Sequence, residues 1–345
     1  MSDLKILITG GSGFLGRAIV NELLDASSAI KKILITVFDI KDFPDERVNQ
    51  IRFIKGDIRN YEEIKIACKD MDIIIHSAAI VDWGTKLEQE VYDVNYIGTK
   101  HVIRACKENN ISMLVYTSSL DTVISGKPLV DIDESQPYPK VHPNMYCKSK
   151  YLAEKLVAEE NSPSLRTCVL RPSDIYGEED PYHIQPLINM AKGGFYIRIG
   201  NGSAKSQHVY VGNIAHAHVL AAKALIEKNS KVYGNTYFIT DSPGTNFFTF
   251  FDTIVIGAGY RIWPKNLWLP RKVAYVLGTL SEYIALLIRP IKYYNPKLSR
   301  FAVLYTCTDF TFTAQKAQDD FGFLPKYSQE EAYARTAESF RKMSL

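Results

Sequence analysis

Tyr146 and Lys150, in "YCKSK" (146–150), stand four residues apart, a spacing that puts both side chains on one face of a helix. A phenol with its ordinary pKa of about 10 is a poor base at neutral pH. A lysine ammonium beside it favours the phenolate, and a phenolate can take the proton of an alcohol. "YTSS" (116–119) supplies a third group: Ser119, with Ser118 as second choice, can hydrogen-bond a forming carbonyl oxygen. A Tyr-x-x-x-Lys pair alone is also what an amphipathic surface helix carries, so its meaning depends on what lies beside it.

"LITGGSGFLG" (7–16) places Gly10, Gly13 and Gly16 at three-residue spacing behind an apolar run and ahead of a helical pattern. At a first βα turn such glycines let the backbone approach a pyrophosphate, and the following helix adds aligned N–H donors. This predicts a seat for a dinucleotide, the hydride acceptor that alcohol oxidation needs; the positive nicotinamide ring would further favour the phenolate. Asp39, at the end of "VFDI", can accept both adenosine-ribose hydroxyls and repels a 2′-phosphate, favouring NAD over NADP. Lys41 keeps NADP open as the less favoured reading. Asp57, in "GDI", stands where an adenine could rest, or is a turn aspartate.

The elements that must position these groups alternate. "LKILIT" (4–9), "KILITVFD" (32–39), "IRFIKGD" (51–57), "MDIIIHSAA" (71–79), "ISMLVYTSS" (111–119), "LRTCVLRP" (165–172) and "NTYFIT" (235–240) read as strands. Helical patterns cover 14–24, 60–70, 91–109 and 144–160, and 208–225 reads as strand, turn and helix. Strands that are apolar throughout, alternating with helices, predict an α/β fold with a doubly wound parallel sheet. The expected division is a dinucleotide-binding domain of 1–177 and 209–241, with a smaller, discontinuous substrate domain of 178–208 and 242–345.

In order and context, "TGGSGFLG", "VFDI", "HSAAIVD", "VNYIGTK", "YTSS", "YCKSK", "LRPSDIYG" and "YVGNIAHAHVLAA" resemble an extended short-chain dehydrogenase/reductase over nearly the whole chain. Within that superfamily the chain resembles the 3β-hydroxysteroid dehydrogenase branch, sterol-4α-carboxylate 3-dehydrogenases included. The resemblance implies catalysis by Ser119, Tyr146 and Lys150, with Lys150 also holding the nicotinamide ribose. It implies dinucleotide contacts from Gly10, Gly13, Phe14, Leu15, Gly16, Asp39, Asp57, Ile58, Ala78, Ala79 and Pro172, together with Tyr146 and Lys150. It further implies a homodimer through the helices at 91–109 and 144–160.

Nucleotide-sugar epimerases and dehydratases share the fold and the triad and are the rival enzyme; a non-catalytic NAD-binding regulator is the rival of another class. Sugar-nucleotide enzymes usually carry an arginine before the "YVxx" strand. Here "SAKSQHVYVGN" has Ser206 there, with Lys205 a poorer bidentate clamp. "NFFTFFDTI" (246–254), "YRIWPKNLWLP" (260–270) and "VAYVLGTLSEYIALLI" (273–288) carry large apolar side chains suited to a sterol or steroid wall, or to core packing. Residues 273–288 fall short of the roughly 20 needed to span a bilayer. They read as an apolar lid over the cleft or a membrane-surface helix with Trp263, Trp268, Arg271 and Arg289 near headgroups.

Composition sets outer bounds. A chain of 345 residues, 46% hydrophobic and 23% charged, has room for two soluble domains. A net charge of +3 without a basic run argues against nucleic acid as a partner. Five cysteines with no CxxC pair point to free thiols in a reducing compartment. With no secretory leader visible, the expected location is cytoplasmic, at a membrane surface if 273–288 docks there. His76 reads as a packed core residue, and His142, His208, His216 and His218 form no metal set. Asp174 is expected either to touch substrate or to cap a turn.

Overall fold

A computed structural model describes residues 3–26, 33–44, 46–288, 296 and 298–343. The chain opens with β1 (Leu4–Thr9), α1 (Phe14–Ala26), β2 (Ile33–Asp39), β3 (Arg52–Lys55), α2 (Tyr61–Ala67) and β4 (Ile73–His76). A long helix follows in two parts, α3 (Glu88–Tyr92) and α4 (Gly98–Glu108), joined by a π turn at Asp93–Ile97. Next come β5 (Met113–Thr117), β6 (Leu129–Ile132), α5 (Met145–Glu159), β7 (Arg166–Pro172), β8 (Asp174–Tyr176) and α6 (Ile184–Lys192). Then follow β9 (Arg198–Ile199), β10 (His208–Tyr210), α7 (Val211–Ile226), β11 (Asn235–Ile239) and α8 (Phe247–Gly257). The C-terminal part holds β12 (Trp268–Leu269), α9 (Arg271–Ile288), α10 (Arg300–Thr306), β13 (Phe310–Phe312), α11 (Gln315–Phe321) and α12 (Gln329–Lys342).

Seven strands form one sheet in the order β11-β7-β5-β4-β1-β2-β3, every neighbouring pair parallel. Period-2 alternation sorts its side chains. Ile6 and Ile8 face Ile19 of α1 and Ala221 of α7, while Leu7 faces the opposite layer with Ile64 of α2, Val102 of α4 and Val157 of α5. Each such side chain contributes about 1.5–3 kcal/mol when buried, and burial on both faces explains the apolar strands. The connections leave β1 and β4 in opposite directions, so a crevice opens beyond their C-terminal ends.

The doubly wound sheet agrees with the expectation; three local features differ. The helix expected at 91–109 contains the π turn, whose Asn95 side chain grips Ile80 through both its backbone N–H (2.7 Å) and its carbonyl (3.0 Å). That grip is a tertiary demand which periodicity does not reveal. The aromatics Phe247, Phe250 and Phe251 of α8 are core, packed with Tyr176, Ile254 and Phe340, and they form no wall of the cleft.

The third difference is α9, which buries only Ala274 and Gly278 and lines no part of the cleft, so the lid reading of 273–288 is corrected. Its Glu282 turns toward α10, accepting from the Arg300 backbone N–H at 2.7 Å and side chain at 2.6 Å. Arg289 lies outside the described residues. Among the described residues no helix is long and apolar enough to cross a membrane.

Candidate active site

The crevice is a cavity of about 630 Å³, and all fourteen residues expected to carry chemistry or dinucleotide contacts lie on its walls. At one end is the first βα turn. Gly10 takes φ +73°, and a Cβ there would stand 2.6 Å from the Ala78 backbone. At Gly16 a Cβ would stand 2.1 Å from the Gly10 carbonyl, so only glycine lets α1 start this close to β1. Gly13, Phe14 and Leu15 complete the rim at the α1 N-terminus.

Asp39 ends β2 with its carboxylate held by the Ser12 and Lys41 backbone N–H groups, at 3.0 and 2.9 Å. Asp57 accepts from the Arg59 guanidinium at 2.8 and 2.6 Å. Although burial opposes it, Arg59 holds the Asp57 carboxyl below its ordinary range. Ile58, Ala78, Ala79 and Pro172 line the same groove.

A dinucleotide fits these residues. The buried Ser12 hydroxyl faces the groove beside the α1 N-terminus and has no partner within the protein. An orphaned donor at that position suits a phosphate oxygen. Asp39, beside the same turn, suits ribose hydroxyls.

The reacting end is set by β5 and α5. β5 stops at Thr117, and Ser119 turns out of the strand line to cap the 3₁₀ turn Leu120–Thr122. Both Ser118 and Ser119 reach the cleft wall, where the Ser118 hydroxyl donates to Glu154 and that of Ser119 to Asp121. Asn144 caps α5 by accepting from the Cys147 backbone N–H at 2.9 Å, fixing Tyr146 in the first turn and Lys150 one turn on. Lys150 Nζ donates to the Thr117 carbonyl at 2.5 Å and lies 4.6 Å from the Tyr116 ring centre. Burial pushes Lys150 down to about 7. Burial, then the nearby Asp121 carboxylate, drives Tyr146 well above its ordinary value.

Further residues from distant segments share the cleft. Trp83, Phe301 and Tyr305 form an aromatic wall, with Trp83 5.3 Å from Tyr305 and 6.0 Å from Phe301 between ring centres. Asp174 faces the cleft and accepts from the Tyr305 hydroxyl at 2.8 Å; burial pushes it up to about 6. His183 lies 3.7 Å from Asp174 and 3.3 Å from Asp180. Burial lowers its basicity, but the two carboxylates win and hold it at about 9. Asp121 also lines the cleft, and its place two residues beyond Ser119 was a signal available in "YTSSLD".

The remaining sequence readings sort plainly. His76 is fully buried between the Thr9 and Thr99 hydroxyls, at 2.6 and 2.9 Å, and burial, then Lys150, pushes it down to about 3. His216 pairs with Glu22 and His218 with Thr117, on different faces of α7. Among the described residues no cluster could hold a metal ion. Lys205 is exposed and outside the cleft, and Ser206 is buried against Thr245 and Phe310, so neither provides a phosphate clamp.

A doubly wound sheet with a glycine turn, a strand-tip serine and a Tyr–Lys helix on one crevice defines an extended short-chain dehydrogenase/reductase architecture. A family model described as the 3-beta hydroxysteroid dehydrogenase/isomerase family matches residues 7–271, and the chain belongs to that family. It is 33% identical to mouse 3 beta-hydroxysteroid dehydrogenase type 7, over 99% of this chain and 96% of that one. It is 32% identical to the decarboxylating sterol-4-alpha-carboxylate 3-dehydrogenase of Schizosaccharomyces pombe, over 94% of each. Among solved structures it resembles the UDP-glucose 4-epimerase of Thermotoga maritima in fold, with a TM-score of 0.76 and 19% identity over 99% of this chain and 100% of that one.

Proposed function

We propose that the chain oxidises the 3β-hydroxyl of a sterol or steroid to the 3-ketone with NAD, and releases the carboxyl group of substrates that carry a 4-carboxylate. One observation carries this reading: in a member of this family, Ser119 and Tyr146 share a single cleft with the wall of Trp83, Phe301 and Tyr305. A flat polycyclic alcohol can lie on that wall with its hydroxyl at the triad. The lack of a phosphate clamp at Lys205 and Ser206 disfavours a sugar nucleotide. An intact triad disfavours a pure NAD sensor.

Bound NAD supplies the hydride acceptor. Ser12, the α1 N-terminus and Asp39 would bind and orient it, with Lys150 at the ribose as the resemblance implies. Tyr146 Oη receives the substrate's hydroxyl proton, and Ser119 Oγ stands beside the phenol and keeps it in place. Oxidation beside a 4-carboxylate gives a β-keto acid, which loses CO₂ without a further catalytic group.

The division at 1–177 with 209–241, against 178–208 with 242–345, assigns the first part to the cofactor and the second to the substrate. The exposed apolar face of α9 makes a peripheral membrane contact, fitting a lipid substrate. A homodimer through the α3–α4 and α5 helices is part of the same reading, and sedimentation tests it.

The decisive assay offers NAD with 3β-hydroxysterols, with and without a 4-carboxylate, alongside UDP-sugars. NADH formation with the sterols supports the function; turnover of UDP-sugars alone overturns it.

A further inference from the structure

We propose that Asp121 is the terminal proton acceptor of this site, a positioning residue that works through Ser119 and carries away the proton that Tyr146 takes from the alcohol. The proposal rests on the dehydrogenase reading above. Ser119 Oγ donates to Asp121 Oδ2 at 2.7 Å, and the Asp121 backbone N–H donates back to the same hydroxyl at 3.2 Å. With its proton committed to Asp121, Ser119 has only lone pairs left for Tyr146. The phenol therefore donates to Ser119, which leaves a phenolic lone pair for the substrate hydroxyl. Asp121 Oδ1 is buried without a partner, on a residue that lines the cleft.

The relay balances. The substrate O–H bond breaks as a Tyr146 O–H bond forms. Tyr146's former proton moves to Ser119 Oγ, and Ser119's former proton moves to Asp121 Oδ2. The carboxylate ends neutral, the hydride goes to NAD, and Tyr146 and Ser119 end as they began. No free phenolate is needed, in keeping with a site where burial and Asp121 itself keep Tyr146 protonated. Asp121 is suited to the role, since burial and the neighbouring Asp174 raise it to about 7 even though Ser119's hydrogen bond opposes them.

The groups facing Asp121 are Tyr146, Cys147 and Lys150 of α5, Asp174 of β8, His183 at the start of α6 and Tyr305 of α10. Asp174 titrates near 6 and could imitate an acid limb, so Asp174→Asn is the control.

Three variants test the relay. Asp121→Asn keeps the shape and the hydrogen bond to Ser119 but cannot accept a proton. We expect its kcat to fall about 10²-fold with KM for NAD within about twofold, and the acid limb of kcat near pH 7 to vanish. Asp121→Glu should regain that limb, and Asp174→Asn should keep it, moved to lower pH because Asp174 no longer raises Asp121. A second readout needs neither substrate nor cofactor: the ¹³C carboxyl signal of Asp121 should titrate near pH 7, and Tyr146 should ionise at lower pH in Asp121→Asn. If Asp121→Asn keeps or raises kcat with its acid limb intact, the relay is wrong. If no sterol is oxidised while both titrations appear as expected, the substrate reading fails and the Asp121–Ser119–Tyr146 coupling stands.

Discussion

Lys150 Nζ donates to the Thr117 carbonyl oxygen at 2.5 Å, tying the helix that carries Tyr146 to the strand end that presents Ser119. The lysine thus holds the two halves of the reacting site together besides any contact with a cofactor. Lys150→Met should lower both NAD affinity and kcat, each by about 10-fold or more, because a misplaced phenol and hydroxyl lose near-attack geometry. Cofactor titration by fluorescence and steady-state kinetics measure the two effects separately. A change confined to affinity would leave the tie to Thr117 without a catalytic role.

The Asp39 carboxylate is held by the Ser12 and Lys41 backbone N–H groups, and the proposed function gives it the adenosine ribose to read. Asp39→Ser should raise KM for NAD by about 10-fold or more, the loss of charge-assisted hydrogen bonds worth roughly 1.5–3 kcal/mol. KM for NADP should fall, since repulsion of the 2′-phosphate is relieved and Lys41 remains nearby. Parallel kinetics with the two cofactors check the crossing.

Much of this was legible in the sequence, for identifiable reasons. Strands buried on both faces announce themselves by composition, so the parallel sheet could be read from runs such as Ile73–His76. The glycine turn and the Tyr146–Lys150 pair are local patterns, and local patterns survive in one dimension. The aromatic wall was not legible because Trp83 and Tyr305 meet only when distant segments converge. Large apolar side chains mark burial without saying where, and so Phe247, Phe250 and Phe251 could be substrate wall or core, and are core. The apolar run 273–288 could cover the cleft or lie on a surface, and only its packing shows that the helix leaves Leu280, Tyr283 and Leu287 in the open.

Behind the catalytic strand, Glu154 and Arg171 form a buried ion pair with Glu154 Oε1 and Oε2 at 3.1 and 3.0 Å from Arg171 Nε, and the Tyr138 hydroxyl donates to the same carboxylate at 2.7 Å. Glu154→Gln leaves a buried guanidinium unpaired and should cost about 3–5 kcal/mol. Denaturant unfolding measures it, and Ser118, which also donates to Glu154, should make the loss visible in activity before unfolding is complete.

On α9 the side chains of Val276, Leu280, Tyr283, Ile284 and Leu287 are exposed, while Glu282 is turned inward onto Arg300. A surface helix of this kind should bind phospholipid vesicles. Flotation with vesicles should recover the protein, and the double substitution Leu280→Glu with Leu287→Glu should reduce recovery by about 10-fold or more, through loss of apolar burial worth roughly 1.5–3 kcal/mol per side chain. Activity on a short, soluble 3β-hydroxysteroid should be unaffected.

The most direct test follows the hydrogen itself. A 3β-hydroxysterol bearing deuterium at C3 and a carboxyl group at C4 is incubated with NAD and either the native protein or Tyr146→Phe. The account predicts deuterated NADH, a 3-ketone and one CO₂ per turnover from the native chain, with turnover at least about 10²-fold slower in Tyr146→Phe although NAD still binds. Undiminished label transfer by Tyr146→Phe, or none by the native protein while a UDP-sugar is turned over, would contradict it.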